Sequence, residues 1–270
     1  MTMPYRQRFG LTDHPFPQDA SGESCTPVPG YDKLRARFAM LARDPGLGVL
    51  TGLAGLGKTT GVRDECHRLP RPDYQVMYLC DTAVGPMDLY RQLAQELGVA
   101  PSHRRAQLWH DLKAALLHLV DEQGVQPILI VDEAQHLGDR FLIDLAGFLN
   151  FAMDSRNVLT LWLVGQPQLA AILHMKQHAA LASRIAARVR LEPLTDRKAF
   201  GTFLRDGLKA AGACSALLSD PAVELLFRAS HGIPRRVSRL LREALMLAHE
   251  QDKTFVDDTH VEAVLDEEEP

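Results

Sequence analysis

The octapeptide Gly52-Leu53-Ala54-Gly55-Leu56-Gly57-Lys58-Thr59 follows directly on the apolar run Leu47–Leu50. That order constrains the fold more than any other feature of the chain. A buried strand must deliver a glycine loop, and a helix must start immediately after it. The glycines let backbone N–H groups turn inward around a phosphate without Cβ clashes. At this spacing Lys58 reaches the β and γ oxygens of a nucleoside triphosphate, and Thr59 offers a hydroxyl to Mg2+. The helix N-terminus adds its partial positive charge. The segment is a complete Walker A sequence, so Gly52–Thr60 (Thr60 included) is the expected binding segment for ATP with Mg2+.

With 270 residues the chain is long enough for a full α/β core and a smaller second unit. Hydrophobic residues make up 46% and charged residues 24%, ordinary for a globular protein. No apolar run reaches the ~18 residues of a membrane span, and Met1–Arg8 lacks the apolar stretch of a signal peptide. A cytoplasmic protein without a membrane contact is expected. The four cysteines, Cys25, Cys66, Cys80 and Cys214, are scattered without CxxC spacing, which argues for reduced thiols and against zinc. A formal charge of −4 supplies no global attraction to nucleic acid, so any such contact needs a local patch.

Along the chain, a Pro- and Gly-rich lead-in reads as extended over the first thirty residues, with Phe9, Leu11 and Phe16 as anchors. Tyr31–Arg43 has helical apolar spacing and stops at Pro45-Gly46. Helices are expected over Thr60–Leu69, Asp88–Leu97, Leu108–Gln123 and Phe141–Met153, and strands over Gln75–Cys80, Pro127–Val131 and Val158–Val164. The fully apolar run Pro127–Val131 is the pattern of a parallel strand covered on both faces. This alternation predicts a doubly wound parallel α/β sheet. Leu181–Arg190 reads as a helix ending in arginines. Beyond Pro193 every segment is helical in pattern: Arg197–Ala211, Pro221–Ser230, Pro234–Glu250 and Asp258–Leu265, with Asp220-Pro221 as cap and first turn. The chain thus divides into an extended segment (1–30), an α/β nucleotide domain (31–194) and a small all-helical lid (195–270). The acidic tail Asp266–Glu269 is expected to be solvated and frayed.

Three groups of residues carry chemistry. The run Ile128–Val131 ends in Asp132-Glu133. Asp132 fits the carboxylate that holds the Mg2+ shell, and Glu133 fits a base that polarises a water for in-line attack. A second acid is of no use to a chain that only binds ATP, so the pair points to hydrolysis. At the end of Val158–Val164, Gln166 either holds the attacking water or caps the turn before Pro167. The arginines of Leu181–Arg190 form an exposed basic face or reach the γ-phosphate of a neighbouring subunit; spacing alone favours the former. In His231-Gly232-Ile233-Pro234-Arg235-Arg236 a basic residue at a helix N-terminus opposes the helix dipole and calls for an anion such as nucleotide phosphate. His174 and His178 stand four apart on an expected helix without the glutamate of a zinc motif. Trp109 and Trp162 read as packing. His103-Arg104-Arg105 is a compact basic patch before the Gln107–Gln123 helix.

Taken together, these segments resemble the AAA+ ATPases, and within them the ExeA/TniB/TnsC group. Phe9-Gly10-Leu11 with Pro15-Phe16, the phosphate loop, Leu129–Leu137, Val164–Leu169 and Gly232–Val237 carry the resemblance over nearly the whole chain. It implies that Asp132 and Glu133 are Walker B, Gln166 is sensor 1, Arg184 (or Arg188) is a trans-acting arginine finger, and Arg235 (or Arg236) is the sensor 2 arginine. The N-terminal segment Phe9–Phe16, Phe9 above all, would lie near the adenine. ExeA-type secretion ATPases carry a transmembrane helix and a periplasmic domain, and neither is expected here. The sequence is closer to stand-alone transposition regulators, which assemble with ATP on duplex DNA as rings or filaments and recruit a transposase or target selector. Their DNA-facing segments map to Asp81–Gly85 and Ser102–Gln107, so Thr82, Ser102, Arg104 and Arg105 are the candidate DNA contacts. Asp81–Gly85 lacks the lysine used by related proteins. A secretion or membrane-assembly ATPase, or a nucleotide-sensing signalling or defence switch, is the alternative.

Overall fold

The computed structural model describes residues 4–17 and 26–268. Cys25, and Glu269 of the acidic tail, lie outside them. Among the described residues five strands form one sheet: β1 (Leu47–Thr51), β2 (Tyr74–Leu79), β3 (Gln126–Val131), β4 (Thr160–Gly165) and β5 (Ile185–Arg190). Their order is β2-β3-β4-β1-β5, and every neighbouring pair is parallel. The expected doubly wound α/β architecture is present. Each parallel pairing requires a crossover, and the helices of the alternating pattern supply it.

By their contacts the residues cluster into two compact units. One comprises Asp32–Leu53 and Glu65–Leu191 and contains the sheet. Its helices include α2 (Tyr31–Arg43), α4 (Pro86–Glu96), α5 (Arg105–Asp121), α6 (Asp139–Phe148), α7 (Pro167–Leu173) and α8 (Ala179–Ala182). All residues of β1 and β4 are buried. One sheet face, with Val49, Leu129, Val131 and Leu163, packs on a core shared with α4, α5 and α6. On the sheet, Trp162 is fully buried and stacked on Phe38 at 5.6 Å. Trp109 sits edge-on to Tyr90 and Phe148. Both tryptophans serve packing.

The other unit comprises Met1–Tyr31, Ala54–Asp64 and Glu192–Pro270. It holds α1 (Pro4–Arg8), most of α3 (Lys58–His67), α9 (Arg197–Ala210), α10 (Asp220–Ser230), α11 (Pro234–Glu250) and α12 (Asp258–Glu268). Helices α10, α11 and α12 pack against one another, and α1 packs on α11. The N-terminal segment is tied down by Arg8, which donates to Asp252 Oδ1 at 2.8 Å, and by Thr12, whose N–H donates to the Ala211 carbonyl at 2.8 Å.

Several local expectations need correction. The lead-in is not extended throughout, since Pro4–Arg8 is helical. Ile185–Arg190 is a strand, not a helix: Ala187 and Val189 are buried while Ala186, Arg188 and Arg190 are exposed, the period-two alternation of an edge strand. Helix α6 ends at Phe148, and Ala152, Met153 and Asp154 all take positive φ, which no α-helix continues. Ser219, not Asp220, caps α10, accepting the Ala222 N–H at 3.2 Å. His174 ends α7, and the chain is extended at Met175 before His178, so the two histidines do not share a helix. Helix α12 continues through Asp266 and Glu267, which are exposed.

Candidate nucleotide site

The phosphate loop leaves β1 at Thr51 and enters α3 at Lys58. Gly55 and Gly57 take φ of +83° and +80°, the left-handed region open to glycine. Both are also closely approached. A Cβ on Gly57 would lie 2.7 Å from the Tyr31 hydroxyl, which donates to the Gly57 carbonyl at 2.8 Å. The Gly61 N–H donates to the same carbonyl at 2.8 Å. A Cβ on Gly55 would lie 2.9 Å from the Arg235 Cβ, and the Arg235 N–H donates to the Gly55 carbonyl at 3.2 Å. Leu56 is fully buried, Lys58 is 6% exposed, and Thr59 faces solvent.

Beside this loop is a cavity of about 530 Å3, within the size range of small-ligand sites. The loop from Gly55 to Gly57, with Thr59 and Thr60, forms one wall, and the first turns of α11 form another. Phe16 lines it too, stacked on Phe203 at 4.5 Å and held through its carbonyl by the Ser238 hydroxyl at 3.3 Å. Phe9, by contrast, is 4% exposed in the packing of its segment and does not line the cavity, whereas Phe16, Tyr31 and Phe203 do. The charged lining residues among those described are Arg63, Arg235, Arg239 and Arg242. Arg235, Arg239 and Arg242 stand at i, i+4 and i+7 on α11, hence on one face. Sequence reasoning found Arg235 but missed the other two, although that spacing was there to be read. A cationic, partly aromatic cavity beside a glycine loop suits an anionic, planar ligand.

The acidic pair lies in the sheet unit. Register pairs Thr51 with Gly165 and Val131 with Leu163, so β1, β3 and β4 end along one edge. Asp132, 3% exposed, accepts the Glu133 N–H on Oδ1 at 2.8 Å and the Tyr78 hydroxyl on Oδ2 at 3.0 Å. Burial first, and then the Asp132 carboxylate, push the Tyr78 hydroxyl well above its ordinary pKa, so it stays a donor. Glu133 has left-handed backbone, φ 49° and ψ 36°, and its carboxylate accepts from Gln135 Nε2 at 2.5 Å. A single buried carboxylate is a donor set that fits Mg2+, which takes one or two protein oxygens and completes its shell with phosphate and water. Gln166 is the N-cap residue of α7 and makes no side-chain cap bond; its N–H donates to Gln135 Oε1 at 2.9 Å. Gln135 is a polar residue of this site that sequence reasoning missed.

The other expected residues are placed as follows. Arg184 lies in the turn between α8 and β5 and pairs with Asp154. Arg188 is exposed on β5, donating to the Ala182 carbonyl at 3.4 Å. Thr82 cannot be a surface contact: it is 2% exposed, and its hydroxyl donates to the Glu133 carbonyl at 2.9 Å. Arg105 pairs with Asp144 at 2.8 Å and covers the Trp109 ring at 4.3 Å. Arg104 is exposed just before α5, and its N–H donates to the Ser102 hydroxyl at 3.2 Å.

Residues 41–173 match the family model described as an AAA domain. General secretion pathway protein A of Aeromonas hydrophila is 30% identical over 262 residues, covering 90% of this chain. The chain spans 45% of that relative's length. Among solved structures, the Aeropyrum pernix ORC1 protein in complex with DNA is similar with a TM-score of 0.69 at 19% identity, over 96% of this chain and 69% of that one. The Aeropyrum pernix ORC2 protein in its ADPNP–ADP complexes gives 0.68 at 17% identity, over 88% and 67%. At such identities the structural likeness is one of fold. Phosphate loop, strand order and family match agree: residues 41–173 match an AAA domain, and the sheet has the P-loop AAA+ fold, for which ATPase activity is expected.

Proposed function

We propose that this chain is an ATP-hydrolysing AAA+ switch that assembles with ATP on duplex DNA and recruits a transposase or target-selector protein. The observation that carries the switch is the cavity in which the phosphate loop meets the arginine face of α11 and Phe16. Nucleotide bound there would touch the loop, the helix and the N-terminal segment together, so its loss alters what holds all three.

Lys58 and the loop N–H groups hold the β and γ phosphates, and Arg235 adds charge to the same anion. Thr59 and Asp132 each offer an oxygen of the kind Mg2+ takes; the ion would neutralise charge on the transferring phosphoryl group. Glu133 accepts the proton of the attacking water, and Gln166 orients that water. Arg184 from a neighbouring copy stabilises transition-state charge. The exposed Arg104, next to His103, supports a phosphate contact to duplex DNA. Among the described residues no helix is long and apolar enough to cross a membrane; we place the protein in the cytoplasm.

A second reading, an ATPase serving secretion, is favoured by the identity to general secretion pathway protein A. Filter retention of labelled duplex DNA separates the two. ATP-dependent retention that weakens steeply with salt is expected. Retention that is absent, or the same with and without ATP, rejects the DNA-loading role and leaves the secretion reading.

A further inference from the structure

Glu133 holds a left-handed backbone, φ 49°, which a glutamate keeps only where its surroundings fix it. Besides the His136 N–H, which donates to the Glu133 carbonyl at 3.0 Å, three hydrogen bonds hold the residue's backbone and carboxylate. Its N–H donates to Asp132 Oδ1 at 2.8 Å, its carbonyl accepts from the Thr82 hydroxyl at 2.9 Å, and its Oε2 accepts from Gln135 Nε2 at 2.5 Å. The first two set the backbone; the third sets the carboxylate. The other end of the same amide, Gln135 Oε1, accepts the Gln166 N–H at 2.9 Å, directly after β4. One side chain therefore spans from the tip of β4 to the acid at the end of β3. Gly165 leaves room for it: a Cβ there would lie 2.6 Å from Gln135 Oε1 and 3.3 Å from the Gln135 backbone N.

We infer that Gln135 is a positioning residue for hydrolysis: it fixes the Glu133 carboxylate relative to the β4 tip, so the setting of the base follows the position of the Gln166 backbone. This rests on the reading of Glu133 as the base. An amide suits the task because it donates to a carboxylate at one end and accepts an N–H at the other. Fixing one carboxylate oxygen fixes the direction in which the second is presented to a water.

The test uses the full chain, with steady-state ATP hydrolysis, affinity for a non-hydrolysable ATP analogue and melting temperature, in wild-type and Glu133→Gln backgrounds. Gln135→Met keeps the length without the hydrogen bonds. Gln135→Glu keeps the acceptor for the Gln166 N–H but sets a carboxylate against Glu133. Each should lower kcat by about tenfold or more with KM and analogue affinity within about twofold of wild type. In the Glu133→Gln background the same changes should cost less than about twofold, because the group they act through is gone. Gly165→Ala should reproduce the kcat loss by displacing the amide, and it stands in if Gln135→Met fails to fold. Wild-type kcat in Gln135→Met, or an undiminished loss in the Glu133→Gln background, overturns the role of Gln135. Full activity in Glu133→Gln alone instead overturns the base assignment and this inference with it.

Discussion

The Arg235 N–H donates to the Gly55 carbonyl at 3.2 Å, joining the first turn of α11 to the phosphate loop. This backbone bond exists because Ile233 caps the helix and Pro234 occupies its first turn, leaving the next N–H unclaimed by the helix itself. Gly55 is the matching half, since its carbonyl is presented at φ +83° with only 2.9 Å between a would-be Cβ and that of Arg235.

Gly55→Ala is accordingly expected to damage binding from two directions. The left-handed backbone costs an alanine about 1–2 kcal/mol, and the methyl pushes α11 away. Calorimetric titration with an ATP analogue should show affinity reduced by about tenfold or more, with a lower melting temperature. Unchanged affinity would show that the loop tolerates separation from α11.

Lys58→Ala should abolish nucleotide binding. Lys58 is 6% exposed at the start of α3, where the helix N-terminus and the loop N–H groups concentrate positive charge on the same anion. An ATP affinity equal to wild type would remove the phosphate-loop assignment.

Tyr31→Phe removes one of two donors to the Gly57 carbonyl and leaves the Gly61 N–H in place. A neutral hydrogen bond contributes about 0.5–1.5 kcal/mol, so analogue affinity should fall by roughly three- to tenfold while the fold persists. A loss as large as that of Lys58→Ala would mean that Tyr31 contacts nucleotide directly.

The fold and the binding loop were legible because each rests on local pattern. Apolar strand runs, punctuating Gly and Pro, and the Gly52–Thr59 spacing each name their element within a few residues. Ile185–Arg190 was not, because an edge strand with two arginines and two adjacent alanines has a weak apolar signal, and the preceding Leu181-Ala182 continues naturally as helix. The site was legible in its acids, Asp132 and Glu133, whose place at a strand end follows from sequence. Thr82 and Gln135 depend on contacts across strands: Thr82 follows β2, and Gln135 reaches a backbone group after β4. No spacing in the chain encodes those.

Cys66 offers a pH-dependent check on packing. Burial, and secondarily the Glu65 carboxylate, push its thiol up to about 12, against about 8.5 for a free cysteine. At pH 8 the thiol stays protonated and inert. Brief maleimide treatment read by peptide mass spectrometry should label the exposed Cys80 and Cys214 but spare Cys66 until the protein is unfolded. Equal labelling of Cys66 in the folded chain would contradict its burial.

Arg184 is paired with Asp154 on the left-handed turn after α6, where Asp154 has φ 64°. If the arginine acts only within its own chain, Arg184→Ala loosens that turn and nothing restores activity. If it acts in trans, mixing Arg184→Ala with Lys58→Ala subunits should restore hydrolysis, since the first supplies an intact phosphate loop and the second supplies the arginine. Rescue to roughly a quarter of wild-type turnover is expected for random pairing, the share of neighbouring pairs that join both intact halves. Asp154→Ala separates the turn from the catalytic role: it removes the pairing while keeping Arg184, so it should lower the melting temperature without abolishing turnover. Activity that stays at the Arg184→Ala level in every mixture refutes the trans role and leaves the Asp154 pair as the structural purpose of Arg184.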